Sequence, residues 1–184
     1  LDRSVVIEDG LTPDAEAVIN KTLEAMDEIT KAISDAETQA SWDVLGGEWS
    51  GRSLTADSFQ ELQDQINENL EKEYEGIDEA TKSSRTAINA KYRLGEITQA
   101  EAESQKADVT SAAEAKKKEA TDRGVSFQFN TLMDTYGESI ANGTLYDDQA
   151  TRDAVYELTS KILVSPGARS SSVGSILSTL QHAS

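Results

Sequence analysis

The chain has 184 residues, no cysteine, a single histidine, and 34 acidic against 17 basic residues, for a formal charge of −17. That charge argues against nucleic acid and anionic membrane surfaces as partners, because both would be repelled. The missing cysteines exclude disulfides, thiolate nucleophiles and thiolate metal sites.

Only 37% of residues are hydrophobic and 5% aromatic, and alanine supplies much of the apolar share. Large core side chains are therefore sparse. A thin seam between long helices needs fewer of them per turn than one round core does. No run of about 18 apolar residues marks a membrane span. The start at Leu1 rather than Met reads as a fragment or a processed product. The expected fold is all-α: an elongated antiparallel helical hairpin or bundle with a coiled-coil-like seam and a small C-terminal helical cluster.

Residues 1–11, with Val5, Val6 and Ile7 closed by Gly10, read as an extended arm or the tail of an upstream element. Thr12 followed by Pro13 is a helix start, a hydroxyl cap before proline at the first helical position. Ile19, Leu23, Met26, Ile29, Ile33, Ala36 and Ala40 then recur at steps of three and four, which predicts one apolar face on a helix over 13–41. Gly46-Gly47 is expected to stop it.

Thr55 or Ser53 is placed to cap the next helix, predicted over 56–93. Its stripe begins Phe59, Leu62, Ile66, Leu70, Tyr74 and Ile77, and it would reach roughly 55 Å. Gly76 weakens it without breaking it. Gly95 fits a left-handed C-terminal cap, and Thr98 with Glu101 fits a capping box. Together they predict a hairpin into a third, alanine-rich helix over 98–123.

Folding that hairpin about Glu96 pairs residues whose numbers sum to about 192. Lys116, Lys117 and Lys118 then meet the region of Glu73, Glu75 and Asp78, Lys91 meets Glu101, and Arg85 meets Asp108. Beyond Gly124, bulky residues gather in a helix over 125–141, and whether it continues the third helix is left open. A further helix starts at Asp147 or Asp148 and ends at Ser165-Pro166-Gly167. A polar linker, a short amphipathic piece at Val173–Leu180 and a loosely held tail carrying His182 follow. The division expected is 1–124 for the hairpin or bundle, and 125–184 for the small cluster and flexible tail.

No catalytic, cofactor-binding or metal-binding residue is expected. Carboxylates such as Asp147-Asp148 and Glu71, Glu73, Glu75 fall at spacings that favour a solvated helical face. The serines have no neighbouring base, since His182 is the sole imidazole. The chemistry expected is association through a helix seam: Ile19, Leu23, Met26, Ile29, Ile33, Phe59, Leu62, Ile66 and Leu70. Whether that seam closes within one chain is left open, and a homo-oligomer is expected. Trp42, Trp49 and Gly51 are expected to cover and form the bend between the first two helices, because aromatics bury large area at low entropic cost.

Two resemblances bear on function. Trp49-Ser50-Gly51, with Phe59 following, resembles the turn of the WXG100 family of helical hairpins secreted by the type VII system, although the interval from Gly51 to Phe59 exceeds that family's compact spacing. The resemblance covers about 13–90 in outline and implies a secreted effector or adaptor. "LGEITQAEAESQKADV" at 94–109 resembles hairpin turns of bacteriophage tail tape measure proteins, alanine- and glutamate-rich helical proteins of the tail tube. It implies a non-enzymatic structural segment of a phage or prophage tail, acting mechanically. An enzyme with a carboxylate site in 125–164 is the least favoured alternative.

Overall fold

The computed structural model describes residues 13–184, and among them only helices and connecting turns occur. The helices are α1 (Pro13–Trp49), α2 (Ala56–Arg93), α3 (Gln99–Ala141), α4 (Gln149–Leu163) and α5 (Gly174–Ala183), with a single 3-10 turn at Thr144–Tyr146. The all-α fold follows from the three-four apolar periodicity. The arm expected at 1–11 and the Thr12 cap lie outside the described residues.

α1 runs through Gly46-Gly47, where a stop was expected, and ends at Trp49. Each glycine costs a helix interior about 1 kcal/mol relative to alanine. Trp42, Leu45 and Trp49 recur at three-four spacing across the pair and are all buried, and that burial outweighs the cost. The left-handed residue is instead Gly51, at φ 76°. A β-carbon at Gly46 or Gly47 would meet nothing within 4 Å. Gly46→Ala with Gly47→Ala should therefore raise stability by about 1–2 kcal/mol in urea titration.

α2 has the expected bounds. Thr55 caps it, its Oγ1 accepting from the Ser58 amide at 3.2 Å. The α2–α3 turn also forms as read: Gly95 sits at φ 74°, the Glu101 amide donates to Thr98 Oγ1 at 3.1 Å, and the Thr98 amide donates to Glu101 Oε1 at 3.4 Å. α3 is one continuous helix of 43 residues, which resolves the junction near Gly124.

α4 starts at Asp148, whose carboxylate accepts from the Ala150 amide at 3.1 Å and from Thr151 Oγ1 at 2.6 Å. These bonds, that from Thr151 first, hold the Asp148 carboxyl below its ordinary value. The cap's pH-dependent stabilisation is then complete above the unfolded-chain pKa and is lost as pH falls through the lower folded value. Asp148→Asn, which keeps an acceptor but cannot titrate, should show a smaller drop in melting temperature on acidification than the parent.

The chain divides into two compact units, and the division cuts through the long helices instead of falling at 124. One unit takes the described residues up to Thr38 together with Glu73–Lys117. The other takes Gln39–Lys72 and Lys118–Ser184. Bulk sets the difference. The second unit holds the continuous hydrophobic core, with Trp42, Leu45 and Trp49 of α1, Leu54, Phe59, Leu62 and Ile66, Val125 and Leu132 of α3, and Leu158 and Ile162 of α4. The amphipathic piece expected at Val173–Leu180 is α5, whose Leu177 and Leu180 are buried in this core, and His182, expected in a loosely held tail, lies in its last turn. Asp122 fixes the preceding linker by accepting from the Ser172 amide at 2.7 Å and from its hydroxyl at 3.0 Å.

Gly124 lets α2 and α3 approach closely in that unit: a β-carbon there would sit 3.1 Å from Ile66 Cγ2 and 3.2 Å from Leu70 Cδ1. The first unit is lean by contrast. Its buried apolar residues are Ile77, Ile88, Ala90 and Ala102, alongside buried Asn20, Glu73 and Ser84.

Within the first unit the hairpin register is shifted slightly from expectation. Lys117 Nζ bridges Asp78 at 2.7 Å and lies over the Tyr74 ring, and Arg85 donates to Thr110. Both pairs sum to 195, not 192. Lys91 and Lys116 bond α1 instead of the expected α2 and α3 partners, at Glu24 (2.6 Å) and Asp35 (3.8 Å).

Candidate functional site

The two sets of residues singled out for function lie in different units. In the second unit, Trp42 and Trp49 project from the end of α1 and are buried, and Gly51 supplies the positive φ that ends the helix. Trp49 Nε1 donates to Gln65 Oε1 of α2 at 2.6 Å. The Arg52 guanidinium stacks 4.0 Å over the Trp49 ring and makes two bonds to Glu61, at 2.8 and 3.2 Å. The hydrogen bond to Glu61 raises the Arg52 pKa, and the reciprocal bond lowers that of Glu61. Leu54, just after the bend, is fully buried, and its amide donates to Thr135 Oγ1 at 2.7 Å. These contacts make the bend a closed corner, with its aromatic surface covered by its own chain.

Leu45 and Leu54 are core residues that the sequence reading did not single out. Leu54 stands alone between two helices, where periodicity carries no information. Leu45 repeats three residues after Trp42 and four before Trp49, a signal masked by the two adjacent glycines.

The predicted seam divides. Phe59, Leu62 and Ile66 are buried and Leu70 partly buried, all in the second unit's core. Ile19 and Leu23 are only half-buried, while Val18, Met26, Ile29 and Ile33 are 64%, 51%, 57% and 54% exposed. In the first unit, then, α1 turns Val18, Ile29 and Ile33 outward, while Leu23 and Met26 border α2.

On the side opposite Ile29, what α1 turns toward α2 is polar. Asn20 is buried. Asp27 accepts from the Ser84 hydroxyl at 2.9 Å. Ser34 lies over Gly76, where a β-carbon would come within 2.5 Å of its hydroxyl oxygen. These residues lie roughly half a turn of the helix wheel from Ile29. Gly76 therefore has a packing role beyond the helix weakening read from the sequence.

Two shallow grooves flank α1 in this unit. One, of about 240 Å³, is polar and lined by Glu24, Asp27, Lys31, Ser84 and Lys91. The other, of about 370 Å³, runs beside the exposed stripe and is lined by Leu23, Met26, Glu79, Lys82 and Thr86. Among the described residues no three His, Asp or Glu side chains converge as a metal site would require, and no helix is long and apolar enough to cross a membrane. The outer face of α1 is the candidate functional surface: an apolar strip, interrupted by exposed Thr22 and bordered by charge, the pattern of an interaction site.

No protein-family model matches the chain, and neither the curated proteins nor the solved structures give a match.

Proposed function

We propose that the chain is a non-enzymatic structural or scaffolding segment that acts through helix–helix association, as part of a larger phage or prophage tail protein of the tape measure kind. The observation that carries the association reading is the orientation of α1. A helix with Asn20, Asp27 and Ser34 inward and Val18, Met26, Ile29 and Ile33 outward leaves its hydrophobic stabilisation to be completed by another helix. Helices of 37, 38 and 43 residues, capped at a G-x-I-T-x-x-E turn, support the tail-protein assignment.

That assignment is tested by location. An antibody raised against the chain should label phage tails, and the reading frame containing it should be far longer and flanked by tail genes. A short frame beside the gene for a second helical hairpin would overturn it.

Such a frame would favour the second reading, a secreted helical-hairpin adaptor of the WXG type. Its support is the bend, where Trp49 and left-handed Gly51 stand at the junction of two antiparallel helices. Burial of Trp49 within its own chain already accounts for that residue, so the bend supports this reading less than α1 supports the first.

A further inference from the structure

We infer that the outward face of α1 is covered by the same face of a second copy of this chain, running antiparallel. The inference rests on reading the chain as a helix-association module and names the partner and the register.

Three observations select a second copy. The face matches itself in shape. Written as facing positions in an antiparallel pair whose numbers sum to 54, Ile29 lies opposite Ala25 and Val18 opposite Ala36. In these two layers a large side chain meets a small one, and the twofold axis passes near Met26 and its copy. Large-against-small layers of this kind let two helices interdigitate without voids.

Charge at the edge also matches. Lys21 and Asp35, both exposed, occupy equivalent edge positions two heptads apart, so antiparallel pairing brings each Lys21 beside the partner copy's Asp35, which Lys116 of its own α3 approaches only to 3.8 Å. Symmetry forms that contact twice. It also brings the two copies of Glu28 near the axis, one repulsive contact against two attractive ones.

The area suffices as well. Val18, Met26, Ile29 and Ile33 with the exposed alanines between them present on the order of 500 Å² of apolar surface, so two copies withdraw on the order of 1,000 Å², the lower bound for a specific interface. The adjoining groove at Leu23 and Thr86 extends it.

Each copy carries −17, so long-range repulsion opposes the pair and salt should relieve it. An apolar dimer of two acidic chains tightens as salt rises, whereas capture of a basic partner helix weakens. The sign of the salt dependence therefore separates the occupants.

The experiment is sedimentation equilibrium of the whole chain from low to high micromolar concentration at 50 and 500 mM NaCl. The expected result is a reversible dimer that tightens with salt. Ile29→Glu should weaken it by roughly thirtyfold or more, as for a central interface residue, while the circular dichroism of the monomer stays unchanged. Lys21→Asp should weaken it, and Lys21→Asp with Asp35→Lys should restore it.

A monomer at every concentration overturns the inference, and so does a dimer indifferent to Ile29→Glu. Failure of the double exchange to restore association overturns the antiparallel register. Loss of monomer helicity in Ile29→Glu also overturns it, because the face would then be covered within the chain. None of these results bears on tail location, which the labelling and gene-order test decides separately.

Discussion

Trp49→Ala should lower the unfolding free energy by about 3–5 kcal/mol, the usual cost of truncating a buried tryptophan. The side chain is 3% exposed in the core where α1, α2, α3 and α4 meet. Its removal leaves a cavity and strands the Gln65 carbonyl, which accepts the indole N–H at 2.6 Å. It also takes away the ring beneath Arg52. For a chain of this size the melting temperature should fall by roughly 10 °C or more. Trp49→Phe keeps most of the apolar volume and loses the indole bond, so it should cost about 1–2 kcal/mol. Urea titration followed by far-UV circular dichroism measures both. A loss under 1 kcal/mol for the alanine variant would mean that Trp49 is not a core residue. Because the alanine variant is so destabilised, any assay of Trp49 as a secretion signal should use the phenylalanine variant.

The helix ends that depend on local chemistry were legible in the sequence. Thr55, Gly95, the Thr98–Glu101 box and Asp148 bond backbone groups within four residues of themselves, and such contacts need no knowledge of the rest of the fold. The stop at Gly46-Gly47 was misread because helix propensity is a local quantity worth about 1 kcal/mol per residue, while burial of Trp42, Leu45 and Trp49 is a tertiary one worth several. The division into units was misplaced at 124 for a related reason. Composition changes there along α3, but the bulky ends of α1 and α2 fold with 118–184, and chain order does not reveal that return.

The candidate surface was half legible. Periodicity showed that Met26, Ile29 and Ile33 share a face of α1, and it is silent on the direction of that face. Direction is decided by what the neighbouring helix offers. α2 in the first unit presents Ser84, Gly76 and Lys91 to α1, so Asp27, Ser34 and Glu24 turn toward it. A net attraction of this polar kind is modest, because hydrogen bonds exchanged with water contribute about 1 kcal/mol each and exposed ion pairs less. The second unit instead gathers its large side chains into one cluster. Cohesion is therefore unequal along α1: apolar burial holds Gln39–Trp49, and polar contacts hold the segment up to Thr38.

A matched pair of alanine substitutions measures that inequality. Leu62→Ala should cost about 2–5 kcal/mol, because Leu62 is fully buried among the core residues of the second unit. Met26→Ala removes a side chain of similar volume from a site already 51% exposed. At concentrations where the chain is monomeric it should change stability by no more than about 0.5 kcal/mol. The two positions belong to equally regular apolar stripes, so a propensity or periodicity argument would assign them similar costs. Chemical denaturation at low micromolar concentration separates the cases. Raising the concentration should then open a gap for Met26→Ala that Leu62→Ala does not share, because apolar surface uncovered in the monomer stabilises only the associated state. Equal costs at low concentration would show Met26 to be buried within one chain, and the outward face of α1 would then no longer be available as an association surface.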